Sequence, residues 1–398
     1  MERILCISGS ACGQEFLRQC AALGVRPTLL TLDGLRDADW PREAIEDLAT
    51  MPEGLNCEQV LNTVSWMARG RLFNRVAALD EGSLLRAAEI REHMRIPGMG
   101  ITTAGYYRDR LAMRVSARES GFAVPEFCRV LNYDELRAFM ERVPAPWMLR
   151  PRRKSAGLDS RRVENPEELW RALEQLGDRQ SRYLLEQLIQ GELFTVESVV
   201  SECRVVFSVV HRHRGWPEAG AATGASLIET VDRTSRDWME LTALNGGLAP
   251  SLGMVRGLTH ARFLRGEADG RHYFLEIAAG VGEGGLGRLV EAGSGLNLWQ
   301  EWARLEAAHL RGEGYLPCEW FESYAASLEW PAGGLPEDAA ELSAPEIAER
   351  LRAQGRESVL VRSSKLERVA QLLDGLVRQI AARGSGLPAA EPGGRPGC

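Results

Sequence analysis

Lysine is nearly missing from this 398-residue chain: Lys154 and Lys365 are the only two among 48 basic residues, and the rest are arginine. An arginine at any one position is therefore weak grounds for a special need for a guanidinium there. A positive net charge is missing too. At -7 the chain lacks the cationic surface on which a general nucleic-acid binder depends, so no nucleic-acid partner is expected. No apolar run approaches the roughly 20 residues that cross a bilayer. The start, Met1-Glu2-Arg3-Ile4-Leu5-Cys6, has no long apolar stretch of the signal-peptide kind. No membrane partner is expected, and the cytoplasm is the expected compartment. No two of the eight cysteines have CxxC spacing, which argues against a structural zinc site. They are expected as reduced thiols, with Cys12 and Cys20 packing in the core from one helix.

What the sequence does contain is the composition of a folded chain, 44% hydrophobic and 26% charged, long enough for two or three packed units. The first hundred residues alternate short apolar runs with helical periodicity: strands at 3–8, 27–32 and 75–80, helices at 14–23 and 84–94. That alternation predicts a parallel sheet flanked by helices. Gly9 and Gly13 at the first strand–helix turn fit either a phosphate-receiving loop or a plain tight turn. A break at Ile96-Pro97-Gly98-Met99-Gly100 follows. Beyond it come a helix at 109–120, strands at 147–151 and 183–188 around a helix at 166–176, and antiparallel pairs at 194–200/204–210 and 257–263/272–277. Helices are predicted at 236–247 and 296–309. Residues 331–344 read as a connecting loop, and Ser343 with Glu346 predicts a capped helix through Arg352. A strand at 358–362, a helix at 366–383 and a disordered Gly/Pro-rich tail at 384–398 complete the chain.

Five segments, in order, carry a resemblance. They are Tyr107-Arg108-Asp109-Arg110-Leu111-Ala112 with Gly121-Phe122-Ala123-Val124-Pro125; Trp147-Met148-Leu149-Arg150-Pro151; Leu184-Leu185-Glu186-Gln187-Leu188 through Gly191-Glu192; 257–263 with Gly270-Arg271-His272-Tyr273-Phe274-Leu275-Glu276; and the helical stretch 289–302. Over about residues 3–309 they resemble the ATP-grasp superfamily, in its carboxylate–amine ligase and biotin-carboxylase-like branch. The resemblance implies an α/β ATP-grasp fold. A parallel α/β domain at 1–100 would precede two α+β ATP subdomains at 101–185 and 186–312, with a small α/β unit at 313–383.

It also implies ATP and Mg²⁺ as cofactors and a site between the two subdomains. The segment Glu186, Gln187, Leu188 matches the hinge that holds adenine. Glu186 or Glu192 would accept hydrogen bonds from adenine or ribose, or both are solvated carboxylates at a strand end. Arg110 and Arg150 stand where the family has phosphate-binding lysines, although Arg110 also reads as an exposed helix charge. Arg152-Arg153-Lys154 lies where a mobile loop closes over phosphates, and equally fits a solvated loop. Glu276 matches one of two magnesium-binding acids. The other acid position holds Arg262, the following Asn position Ala278, and a nearby arginine position Gly280. Glu283 is a candidate replacement metal ligand, and Arg288 a candidate replacement for the catalytic arginine. His211 and His213 alternate along a strand, as a metal or substrate pair or as ordinary strand residues.

The expected function is a ligase that joins a small-molecule carboxylate to an amine or thiol through an acyl phosphate; the sequence does not give the oligomeric state, although the resemblance makes a homodimer a candidate, dimers being common among the relatives. Two alternatives stay open. One is a degenerate relative whose metal site is disabled and which serves as a regulatory or scaffold subunit. The other is a Rossmann-type nucleotide or redox protein, with NAD or FAD at residues 9–13.

Overall fold

The computed structural model describes residues 2–153, 158–214, 224–335, 340–353 and 355–382. Lys154, most of the small-residue stretch 219–225 and the tail 384–398 lie outside them. No helix among the described residues is long and apolar enough to cross a membrane.

The N-terminal layer is a parallel sheet in the order β3-β2-β1-β4. It is built from β1 (Arg3–Ser8), α1 (Gln14–Ala22), β2 (Arg26–Leu32), β3 (Asp47–Met51), α2 (Cys57–Ala68), β4 (Arg75–Ala78) and α3 (Leu84–Met94). Ile4, Leu5, Cys6 and Ile7 of β1 are fully buried between helices on both faces, as parallel pairing requires. The strand β3 is additional to those expected. Cys20 is buried in α1, but Cys12 sits in the preceding turn, its thiol 3.2 Å from the Leu79 carbonyl.

Next come α4 (Ile101–Tyr106), α5 (Arg110–Glu119), β5 (Phe127–Arg129), α6 (Tyr133–Arg142), β6 (Trp147–Pro151), β7 (Arg161–Val163), α7 (Pro166–Leu176) and β8 (Tyr183–Gln187). The strands form an antiparallel sheet, β5-β8-β6-β7. It packs Trp147, Leu149 and Leu185 against Leu136 and Phe139 of α6 and Leu169 and Leu173 of α7.

The largest layer is an eight-stranded sheet in the order β13-β12-β9-β10-β11-β14-β16-β15. Its elements are β9 (Gly191–Ser201), β10 (Arg204–Arg214), β11 (Ser226–Thr230), α8 (Arg236–Ser251), β12 (Gly257–Gly266), β13 (His272–Ala279), α9 (Leu286–Ser294), α10 (Leu298–Arg311), β14 (Tyr324–Pro331), β15 (Ile347–Ala353), β16 (Arg356–Ser363) and α11 (Leu366–Ala382). One face buries Phe194, Val196, Ala261 and Phe263 in a core shared with Leu241 and Leu248 of α8. By strand alternation the opposite face carries Thr195, Glu197, His211, His213, His260, Arg262 and Glu276.

One expectation is corrected here: the segment 343–352 is not a helix, because residues 347–353 form β15, paired antiparallel to β16. The strand β14 pairs with β11 and so extends the large sheet. The fold class is as expected: a parallel α/β layer followed by two α+β layers.

Candidate functional site

The helix α5 carries the first half of the site. Asp109 caps it, its carboxylate accepting from the Leu111 amide at 3.0 Å, which answers one of the unpaired N–H groups of the first turn. The same carboxylate holds Arg152 at 2.6 Å. One charge of the expected phosphate loop is thereby already engaged. The next residue, Arg110, donates from Nε and Nη2 to Glu276 Oε2 at 3.0 and 2.9 Å and from Nη1 to the Pro151 carbonyl at 2.8 Å. One turn on, Arg114 is 2% exposed and donates to Glu186 Oε1 at 2.7 Å and to the Leu275 carbonyl. Burial pulls the Arg114 pKa down, and the Glu186 charge opposes that.

The second half lies on the polar face of the large sheet. Arg262 and Glu276 are register partners on β12 and β13, and Arg262 Nη1 donates to Glu276 Oε1 at 2.7 Å. The pairing slips between Arg262 and Phe263, a bulge of the kind that re-aims side chains beside functional sites. Glu276 thus lies between two guanidiniums, one from each side of the junction. Glu186 is placed the same way: Arg150 Nε lies 3.2 Å from its Oε2, opposite Arg114. The two clusters adjoin, since Arg114 feels both Glu276 and Arg150 electrostatically. Together they set four guanidiniums against two carboxylates. That surplus of forked donors suits phosphate oxygens.

Most of the other expected residues have partners within the protein. Glu186 is 2% exposed and is the internal counter-ion of Arg114 and Arg150, not an open hydrogen-bond acceptor. Glu192 lies between Arg265 and Arg212. The amides of Gln187 and Leu188 donate to the Glu126 and Pro146 carbonyls at 2.8 and 3.4 Å, which sets the chain direction beyond β8. Arg288 reaches Glu349 of β15 at 2.9 Å, on the side of the C-terminal strands. Glu283 is exposed, and its charge acts on the Cys12 thiol of the N-terminal layer. Gly280 adopts φ 137°, which a side-chain-bearing residue rarely does, so the backbone there disfavours the family's arginine. Gly9 donates its amide to Asp80 Oδ2 at 2.6 Å, so the first turn is closed by the protein's own carboxylate.

The residues present do not make a magnesium site. Magnesium takes hard oxygen ligands. Here the first acid position is a guanidinium bonded to the second acid, and both Glu276 oxygens are engaged. Among the described residues no group of three or more His, Cys, Asp or Glu side chains is placed to hold a metal ion.

Two residues were not singled out from sequence: Glu197 of the polar face and Arg114 of α5. Glu197 is fully buried and accepts from His260 Nδ1 at 2.9 Å. A Cβ on Gly282 would stand 2.9 Å from His260 Nδ1 and 3.1 Å from Glu197 Oε2, so the loop after β13 closes tightly over this pair. The signal for Glu197 was a lone carboxylate inside Phe194-Thr195-Val196-Glu197-Ser198-Val199-Val200. Arg114 was hidden by the abundance of arginine. His211 is fully buried, and neither ring nitrogen has a hydrogen-bond partner among the described residues. His213 Nε2 lies 3.2 Å from Thr195 Oγ1.

No family model matches the chain. The L-arginine-specific L-amino acid ligase of Bacillus subtilis is 23% identical over 236 residues, which is 57% of this chain and 56% of that protein's length. Among solved structures, an L-amino acid ligase from Bacillus licheniformis superposes with a TM-score of 0.71 at 17% identity, over 94% of this chain and 98% of that one. The biotin carboxylase domain of Hydrogenobacter thermophilus 2-oxoglutarate carboxylase, a dimer with MgADP, ADP and bicarbonate, gives 0.69 at 13% identity, over 95% and 89%. The three layers in order agree with these likenesses: the chain has the ATP-grasp fold, in the form shared by L-amino acid ligase and biotin carboxylase.

Proposed function

We propose that this protein is an ATP-dependent ligase that activates a carboxylate as an acyl phosphate and joins it to an amine, with amino acids as the substrate class. The observation that carries the reading is the convergence of Arg110 and Arg150, from the second layer, with Arg262, from the third, on the paired carboxylates Glu276 and Glu186. The likeness to L-amino acid ligases supports the substrate class.

In this reading the triphosphate lies along Arg110, Arg150 and Arg262; Lys154, expected on the phosphates from sequence, lies outside the described residues. The backbone of Gln187 and Leu188 faces adenine, and Glu192 lies on the ribose side. A substrate carboxylate oxygen attacks the γ-phosphorus and ADP leaves. The amine nitrogen then attacks the acyl carbon, phosphate departs with the C–O bond broken, and the nitrogen gives up a proton. Little covalent work falls to the protein. Positioning and charge stabilisation dominate, so fixed guanidiniums are the parts that count. Glu186 acts by holding Arg150 in place.

The test is release of ADP and phosphate from ATP across a panel of amino-acid pairs. Turnover that requires both a carboxylate and an amine supports the reading. Release that ignores the added amino acids, or none with any pair, contradicts it. Arg150→Ala is expected to lower kcat/KM by about a hundredfold or more, as loss of a charge-stabilising donor does.

A further inference from the structure

We infer that Arg262 takes the place of the divalent cation, so that this protein binds its nucleotide without magnesium. The inference rests on the nucleotide-binding reading above and concerns the same site.

The argument is one of charge and position. A site of two carboxylates and one Mg²⁺ presents no net charge to the triphosphate. Arg262 paired with Glu276 also presents none, without a metal. The bond from Arg262 Nη1 to Glu276 Oε1, 2.7 Å, fixes that cation between adjacent strands. From the other side Arg110 closes on Oε2 of the same carboxylate. A magnesium ion entering here would have to strip two guanidiniums from its one remaining acid ligand and then sit against their charge. The oxygens of a phosphate meet the reverse situation. A guanidinium carries five donors in a planar fork and can hold a carboxylate and a phosphate oxygen together.

Neighbouring changes agree. Ala278, two residues beyond Glu276 on the same face, offers no oxygen where the family has an amide. Glu283, the candidate replacement ligand, is exposed, and its charge acts on Cys12 of the N-terminal layer. Glu197, the other carboxylate of this face, is already engaged by His260. Ala278 and Glu197 thus offer no free ligand beside Glu276, while the cation-replacing side chain is held by a well-formed ion pair.

The experiment is calorimetric titration of the full-length protein with ATP, once with excess magnesium and once with EDTA. Wild type is expected to give dissociation constants that agree within about threefold, whereas a metal-dependent site loses far more when the ion is removed. Arg262→Glu is expected to lose about tenfold or more in EDTA and to regain affinity when magnesium is added. Glu276→Gln supplies an opposite sign. If Glu276 only anchors Arg262 and Arg110, removing its charge strengthens or preserves ATP binding in both buffers. If Glu276 is a magnesium ligand, the same change weakens binding in magnesium alone. Binding by wild type only in magnesium overturns the inference and leaves the ligase reading standing. Binding in neither buffer, with thermal melting showing folded protein, removes the ligase reading and the inference together.

Discussion

The buried histidine His211 gives a test that does not depend on any ligand. Burial pulls its pKa from 6.5 to about 4, against the smaller opposing pull of Glu197; His260 and Arg233 add to the lowering. The unfolded chain therefore takes up a proton on this ring near pH 6.5, while the folded chain does not until about 4. Stability from this group is complete above 6.5 and is lost as pH falls towards 4. Between pH 7 and 5 the loss attributable to His211 is about 2 kcal/mol at 1.36 kcal/mol per unit. His211→Phe is expected to shrink the drop in urea-unfolding free energy between those pH values by about that amount. Equal drops in the two proteins would mean that His211 is not held neutral in the fold. At this scale the sequence was readable where chemistry was unusual for its surroundings. Arg262 opposite Glu276 stood out because a cation occupied an acid's position. Arg114 did not, because one arginine among so many carries no signal until its burial is known.

The helix α5 brings together a cap, a cation paired with Glu276 and a buried cation within two turns, at Asp109, Arg110 and Arg114. Its inner anchor is Glu186 on β8. Removing that charge by Glu186→Gln leaves Arg114 buried without its counter-ion and releases Arg150. The expected cost is about 3–5 kcal/mol of folding stability, the range for breaking a buried pair by removing one partner. Urea denaturation measures it. A loss below about 1 kcal/mol would return Glu186 to the class of solvated ion pairs. Element boundaries were legible wherever periodicity and caps agreed: Pro166 after the capping Asn165 opened α7, and Gly121 followed the end of α5. The segment after Ser343 shows why the rest was not. Its capping-box spacing favoured a helix locally, but the exposed edge of β16 offered a ladder of hydrogen bonds, and residues 347–353 took it. The strand β3 escaped for the opposite reason. Asp47-Leu48-Ala49-Thr50-Met51 has no strong period of its own and is a strand because β2 pairs with it.

For the whole molecule, the eight-stranded sheet ties the strands that carry Arg262 and Glu276 to the C-terminal ones without interruption. The bridge is β11 with β14, and Leu227 shares a core with Leu328, Val359 and Leu376. A chain ended at residue 312 would expose that core and leave β11 as an open apolar edge. Such a truncation is expected to aggregate or to melt at least about 10 °C lower, not to persist as an independent ATP-grasp unit. A soluble fragment with an unchanged melting temperature would show the C-terminal strands to be dispensable. The layer order was legible from the strand–helix alternation and the five ordered segments. That the last unit joins the third layer was not, since pairing between β11 and β14 spans nearly a hundred residues and leaves no local trace. The central claim concerns the acyl phosphate, and trapping it is the most direct test. With ATP, a single amino acid and hydroxylamine in place of the natural amine, the account predicts a hydroxamate formed in step with ADP. ADP without hydroxamate, or AMP in place of ADP, would contradict it.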